Sequence, residues 1–210
     1  MSVSMCTPMM WPMPDMKYWA APSMTKGKLK GIWGEAVNPI EGITPLVILA
    51  KIGDKDQAYW LSRYLNDAGI LTFTFEAEDA ASAISGYHLA FDELRNDDRV
   101  ASEYIVFAGY GEAGNAAAVA ASEIGRSVRG IFLMSPVIKD WDKIKGYQGR
   151  SYIVAGSDDD QAPLASLEMM AKQLKQGELL QMRGAGHDYR EEDWERAGML
   201  LRTWVLTGLN

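Results

Sequence analysis

The sequence predicts an α/β domain with a doubly wound, mostly parallel sheet. From residue 27 onward, apolar segments with the period of strands alternate with amphipathic segments of about 10 to 18 residues that have the period of helices. Helices of this length between strands require crossovers, and crossovers produce a parallel sheet covered by helices on both faces. The chain has 210 residues, 48% of them hydrophobic, which is enough for one such domain with a substantial core.

The first half of the predicted domain contains four strands and two amphipathic helices. The predicted strands are 28–37, 44–51, 70–76 and 102–109. The helix predicted at 54–69 ends at a glycine, and its apolar stripe consists of Trp60, Leu61, Tyr64, Leu65 and Ala68. The helix predicted at 79–97 has an apolar face made of Ile84, Tyr87, Phe91 and Leu94.

The second half continues the same alternation. An alanine-rich helix follows the strand 102–109, and its small side chains allow close packing on a sheet. Further strands are predicted at 130–137, 151–157 and 177–184, and further helices at 164–174 and 191–206. The inward face of the last helix consists of Trp194, Ala197, Leu201, Trp204 and Val205. The segment between the strands at 130–137 and 151–157 is too short for a lid domain.

Charge and cysteine content exclude several classes of function. The formal net charge is −7, and no cluster of Lys and Arg interleaves with aromatic residues, so we expect no nucleic-acid partner. The single cysteine, Cys6, supplies neither a disulfide nor a thiolate zinc site, and we expect no metal and no cofactor. The longest apolar runs fall far short of the roughly 20 residues of a spanning helix, so we expect no membrane span.

Residues 1–24 form a segment of different composition before the domain at 25–210. Seven of the 12 methionines lie there, together with four prolines. Met10, Met13 and Met16 have a spacing that Cu(I) sites use, but we favour an irregular apolar arm that lies against the domain or a protein partner. The arm has no basic and no unbroken apolar segment, which predicts a cytoplasmic protein unless an export signal has been removed.

A glycine-rich turn marks the end of the strand 102–109. Residues 104–115 read YIVFAGYGEAGN, which is typical of a strand that reverses sharply into a helix. Where the third position of such a turn is serine or cysteine, that residue is a nucleophile. Here the third position is Gly111.

Two further motifs follow later strands. In AGSDDDQAP (155–163), Asp159 lies three residues after a glycine and four before a proline, and in GAGHDY (184–189) His187 follows the last strand. The chain order is therefore nucleophile turn, acid, histidine. On this succession of strands, that order resembles the α/β-hydrolase superfamily, in particular its small lidless esterases, thioesterases and dienelactone-hydrolase-like members, over about residues 28–206.

The resemblance assigns a role to each matching position. Gly109 and Ala113 correspond to the small residues that flank the turn, and Gly111 corresponds to the nucleophile. It makes Asp159 the triad acid and His187 the triad base, with the acid uncertain by one residue in the run of three aspartates. These roles are chemically sound, because an imidazole must take the proton of a nucleophilic hydroxyl and a carboxylate must orient the imidazole. The other histidine, His88, is predicted to be solvated.

The departures from the family pattern concern the reaction itself. Gly111 has no side chain, so no acyl-enzyme forms there. The candidate oxyanion and binding residues are Tyr110, Glu112 and Lys51. The backbone N–H of Glu112 suits an oxyanion hole, but its carboxylate opposes a developing negative charge unless it turns away. Lys51 follows the strand 44–51 where the family has His-Gly, and it is either a cationic donor or a residue in a salt bridge.

Three functions remain open from the sequence. The first, which we favour, is a non-catalytic homologue that binds a small apolar or ester-like ligand at the carboxyl ends of the strands. The second is an esterase-like enzyme in which Asp159 and His187 activate water without a covalent intermediate. The third is a serine hydrolase inactivated by a replacement at position 111. The degraded oxyanion loop favours the first over the third, because one replacement does not explain both changes.

Overall fold

The computed structural model describes residues 23–26, 29–39, 44–53 and 56–208. The motif of Met10, Met13 and Met16 lies outside these residues. Within them the strands are β1 (Ser23–Lys26), β2 (Leu29–Gly34), β3 (Leu46–Ile52), β4 (Leu71–Ala77), β5 (Ile105–Tyr110), β6 (Gly130–Met134), β7 (Arg150–Gly156) and β8 (Gln176–Met182). The helices are α1 (Gln57–Asn66), α2 (Ala80–Leu94), α3 (Glu112–Ile124), α4 (Trp141–Ile144), α5 (Leu164–Gln173) and α6 (Glu191–Thr207).

The strands form one sheet in the order β1-β2-β4-β3-β5-β6-β7-β8. Strands β3 to β8 are parallel to one another, whereas β1 and β2 pair in antiparallel fashion at one edge. The carboxyl ends of six parallel strands therefore meet at a single edge of the sheet. The predicted fold class, a doubly wound and mostly parallel α/β sheet, is confirmed.

Helices cover both faces of the sheet. Side chains of α2, α3 and α5 form one buried cluster with alternate residues of the central strands, and side chains of α1 and α6 form a second cluster on the other face. The central strands are buried on both sides, which explains why β3 reads as a continuous apolar run. The inward face predicted for the last helix is confirmed, because all five of its predicted apolar residues are buried.

Tyr87 of α2 is fully buried and joins β3 to β5. Its hydroxyl donates to the carbonyl of Ala108 at 2.6 Å and accepts from the backbone N–H of Ala50 at 3.1 Å. The backbone pairing of β3 with β5 ends at Leu49 and Ala108. Beyond this point the Tyr87 hydroxyl bridges the two strands by its two hydrogen bonds. The two strands remain connected just below the carboxyl edge of the sheet.

Some predicted boundaries are wrong for identifiable reasons. Strand β6 ends at Met134 rather than at residue 137, because Ser135 has a φ of 40° and the following proline has no N–H to donate. Residues 102–104 form a 3₁₀ turn ahead of β5. Strand β1 begins at Ser23, inside the arm predicted to be irregular, and the short helix α4 was not predicted.

Candidate active site

The turn between β5 and α3 lies at the carboxyl edge of the sheet. Gly111 has φ 57° and ψ −122°, a conformation that residues with a Cβ rarely adopt. Its N–H donates to the carbonyl of Met134 at 3.0 Å, and its carbonyl accepts from Val137 at 3.0 Å. A Cβ on Gly109 would lie 2.3 Å from the carbonyl oxygen of Ala113, so only glycine fits there. The tight turn therefore depends on close backbone packing.

His187 and Asp159 come together beside this turn, from the segments that follow β8 and β7. The imidazole Nδ1 lies 3.0 Å from Oδ1 and 3.1 Å from Oδ2 of the carboxylate. The side chain of Asp159 is completely buried, and that of His187 is 12% exposed. Because a carboxylate only accepts hydrogen bonds, this contact places the proton of the neutral imidazole on Nδ1 and leaves the Nε2 lone pair free.

The carboxylate of Asp159 has additional donors. Oδ1 accepts from the backbone N–H groups of Gln161 at 3.0 Å and Ala162 at 2.8 Å. Burial raises the pKa of Asp159, but the hydrogen bond from the Ala162 N–H and the contact with His187 act in the opposite direction, and the pKa is lower than that of a free aspartate. The carboxylate is therefore ionised at neutral pH. The neighbours Asp158 and Asp160 do not take this place.

Nε2 of His187 faces the position where Gly111 lacks a side chain. A Cβ built on Gly111 would lie 3.6 Å from Nε2 and 3.9 Å from Cε1 of the imidazole. No other described heavy atom outside the neighbouring residues lies within 4 Å of that point. Within the described residues, the imidazole is therefore the group nearest to the position of the absent side chain.

A buried serine and a tyrosine form a chain of hydrogen bonds close to the pair. Ser135 is fully buried, and its hydroxyl donates to the hydroxyl of Tyr189 at 3.1 Å. The Tyr189 hydroxyl in turn donates to the carbonyl of Val154 in β7 at 3.2 Å. Burial raises the pKa of Tyr189. The sequence placed Ser135 within the predicted strand 130–137 and gave no signal for a partner 54 residues away.

Tyr110 lies in the site, but its hydroxyl is already in use. It donates to the backbone carbonyl of His187 at 2.5 Å. Its ring centroid lies 5.3 Å from that of His187, 5.6 Å from that of Tyr189 and 5.0 Å from that of Trp194. A tyrosine hydroxyl has one proton, so in this structure Tyr110 has none left for a ligand.

Glu112 and Lys51 both direct their charges into ion pairs. Glu112 is the first residue of α3, and its carboxylate pairs with Lys139. Lys51 lies 2.9 Å from Asp56 and 3.2 Å from Glu76. A hydrogen bond with Asp56 raises the pKa of Lys51, although partial burial acts against it. The ammonium of Lys51 is therefore engaged in ion pairs with Asp56 and Glu76. The backbone N–H of Glu112 lies at the turn, at the start of α3.

The sequence suggested that His88 is only solvated, but the side chain has a partner. Its Nε2 lies 2.8 Å from a carboxylate oxygen of Glu123, so the two side chains connect α2 with α3 at the surface. The sequence did not reveal this contact because the residues are 35 positions apart.

Comparisons with known proteins identify the fold. The structure is similar to Est1E from Butyrivibrio proteoclasticus, with a TM-score of 0.74, 17% identity and coverage of 86% of this chain and 94% of that one. It is similar to dienelactone hydrolase from Anabaena variabilis, with a TM-score of 0.74, 20% identity and coverage of 88% and 94%. It is also similar to Paleococcus ferrophilus monoacylglycerol lipase, with a TM-score of 0.69, 13% identity and coverage of 87% and 100%.

These similarities are structural only. No protein-family model and no curated protein sequence matches the chain. The chain has the α/β-hydrolase fold, as its motifs indicated. In the part of the chain that the structure describes, no helix is long and apolar enough to cross a membrane.

Proposed function

We propose that this protein binds a small ester-like molecule non-covalently, with an oxygen of the ligand between Gly111 and His187. The observation that carries the proposal is the position of Nε2, 3.6 Å from the point where a nucleophile's Cβ would lie. The histidine and its carboxylate have the arrangement of a catalytic base, but the turn beside them provides no atom to attack a substrate. No acyl-enzyme can form at this position, so the remaining groups act by hydrogen bonding.

The surrounding groups suit a ligand that carries a carbonyl or hydroxyl oxygen. The backbone N–H of Glu112 lies at the amino-terminal end of α3, where the helix dipole favours a partial negative charge. The carboxylate of the same residue is paired with Lys139, which reduces its repulsion of an electron-rich oxygen. The ester class is further supported by the similar structures, two of which are named as a dienelactone hydrolase and a monoacylglycerol lipase.

A second function is favoured by the burial of Asp159. An ionised carboxylate that is completely buried is costly unless it is fully paired, and orienting an imidazole is the use that such a group has in catalysis. In this alternative, Nε2 takes a proton from a water molecule while the water oxygen bonds to the ester carbonyl carbon. The proton then passes to the departing alkoxide, so that acid and alcohol are released and His187 is regenerated.

The two functions predict different behaviour with short aryl esters such as phenyl acetate and phenyl butyrate. Because the chain contains only two histidines, imidazole NMR signals of His187 can be followed with His88 as an internal reference. Binding without turnover supports the first function, and turnover that disappears in His187→Ala supports the second. If neither His187 signals nor ester concentrations change at millimolar ester, the ester class is wrong.

A fluorophosphonate probe tests the absence of covalent chemistry. We expect mass spectrometry to find no adduct on any serine, because the turn has none. Stoichiometric labelling of Ser135 or Ser157 would show that the assignment of the nucleophile position to Gly111 is wrong. Ser157 is the more accessible of the two, and its hydroxyl is bonded to Asp158 at 2.7 Å.

A further inference from the structure

Tyr110 joins the two segments that form the candidate site. It is the last residue of β5, directly before Gly111, and its hydroxyl donates to the backbone carbonyl of His187, 77 positions away. Its ring also lies against the imidazole, with the ring centroids 5.3 Å apart and the planes 32° apart. One side chain therefore contacts both the backbone and the ring of the histidine.

The segment that carries His187 is anchored on both sides of the histidine. Before it, the carbonyl of Ala185 accepts from the backbone N–H of Asp158 at 2.9 Å. After it, the hydroxyl of Tyr189 is bonded to β7. Between these anchors, Asp159 binds the ring of His187 and Tyr110 binds its carbonyl. These four contacts connect the histidine segment to two neighbouring strands, β5 and β7, and to the segment that follows β7.

The two contacts of His187 have different consequences for Nε2. The hydrogen bond to Asp159 fixes Nδ1 but permits the ring to turn about that bond, which changes the distance from Nε2 to the turn. The hydrogen bond from Tyr110 fixes the backbone of the histidine relative to Gly111 itself, because Tyr110 is its neighbour in the chain. Burial raises the pKa of Tyr110, so its hydroxyl keeps the proton that it donates throughout the neutral pH range.

We propose that Tyr110 is a positioning residue, whose hydroxyl holds His187 at the distance from Gly111 at which Nε2 reaches a ligand. The importance of that distance for a ligand rests on the function proposed above. The position of the imidazole ring does not depend on that function, and it can be measured without any ligand.

The test compares Tyr110→Phe with Tyr64→Phe by NMR of the two imidazoles. Tyr64 stacks on Trp60 where α1 packs against α6, and it serves as a matched control for the loss of a tyrosine hydroxyl. In Tyr110→Phe we expect shifted or broadened signals of His187 and exchange of its Nδ1 proton that is about fivefold faster, the factor for one neutral hydrogen bond. Signals of His88 stay unchanged, and Tyr64→Phe changes neither histidine.

Unchanged His187 signals in a folded Tyr110→Phe protein would overturn the proposal. Should that variant not fold, the unmodified protein decides, because the proposal requires a slowly exchanging hydroxyl proton on Tyr110 with a magnetisation transfer to His187. A rapidly exchanging Tyr110 hydroxyl would overturn it as well.

A kinetic readout becomes available if Gly111→Ser hydrolyses esters. Adding Tyr110→Phe to that variant should then lower kcat about fivefold and leave KM unchanged, because the hydroxyl acts through His187 and touches no substrate. Equal kcat values with and without the hydroxyl would contradict the positioning role. Absence of hydrolysis in Gly111→Ser concerns the proposed function alone, and the NMR comparison still decides on Tyr110.

Discussion

Replacement of Gly111 by serine tests whether the turn and the histidine retain catalytic geometry. A C–O bond of about 1.4 Å and a hydrogen bond of about 2.8 Å, meeting at about 110°, separate Cβ from the acceptor nitrogen by about 3.5 Å. The structure gives 3.6 Å between Nε2 of His187 and a Cβ at position 111. An introduced hydroxyl therefore reaches Nε2 with almost no movement of either segment.

The same change has a cost in stability and an upper limit in rate. The backbone at Gly111 has a φ of 57°, and a side chain in such a conformation costs about 1–3 kcal/mol. We expect the melting temperature to fall by roughly 2–12 °C in a domain of this size. With the Glu112 N–H as the one proposed oxyanion donor, kcat should be about 10²- to 10³-fold lower than with a pair of donors. Hydrolysis should therefore be measurable but slow.

The assay follows release of p-nitrophenol from p-nitrophenyl acetate by Gly111→Ser, with Gly111→Ala as the matched control. Alanine imposes the same backbone strain but supplies no hydroxyl, so the difference between the variants reports the nucleophile. The activity should disappear when His187→Ala is added, and a fluorophosphonate should label position 111. A folded Gly111→Ser protein that is neither labelled nor faster than Gly111→Ala would refute the geometric argument.

Three further predictions concern stability and are measured by urea unfolding. Tyr87→Phe should lose about 1–3 kcal/mol, because two buried backbone groups of β3 and β5 lose their partner, and a loss no greater than that of Tyr64→Phe would contradict this. Gly109→Ala should lose at least about 1–3 kcal/mol through a 2.3 Å contact with the α3 backbone, whereas Gly146→Ala, with open space around it, should lose little. The lowered pKa of Asp159 contributes stability that is present above about pH 4 and is lost as the pH falls further. If the free energy of unfolding of Asp159→Asn has the same acid dependence as that of the unmodified protein, this prediction is wrong.

The sequence predicted the elements of the fold whose signal is local. Strand β3 reads as an uninterrupted apolar run because it is buried on both faces, and α6 shows a clear helical period because one side is buried and the other is not. Strand β1 was missed because it is four residues long and pairs only at the edge of the sheet. A strand of four residues is too short to show the alternation by which longer strands are predicted.

The candidate site was predictable in its positions but not in its supporting contacts. Gly111, Asp159 and His187 each follow a strand, and the ends of parallel strands meet at one edge, so their proximity follows from the topology. The hydrogen bond from Tyr110 to His187 and that from Ser135 to Tyr189 join residues far apart in the chain. Such contacts depend on exact side-chain directions, which neither spacing nor composition encodes.

The geometry of the turn does not depend on a side chain at position 111. The backbone groups of Gly111 are held by Met134 and Val137, and the close approach of β5 to α3 is set by Gly109. Glycine adopts the φ of 57° without strain, so the turn keeps these contacts without any side chain at position 111. A well-formed turn is therefore no evidence for covalent catalysis in this chain. The buried carboxylate of Asp159 says more about function than the turn does. A buried charge requires a partner, and here that partner is His187.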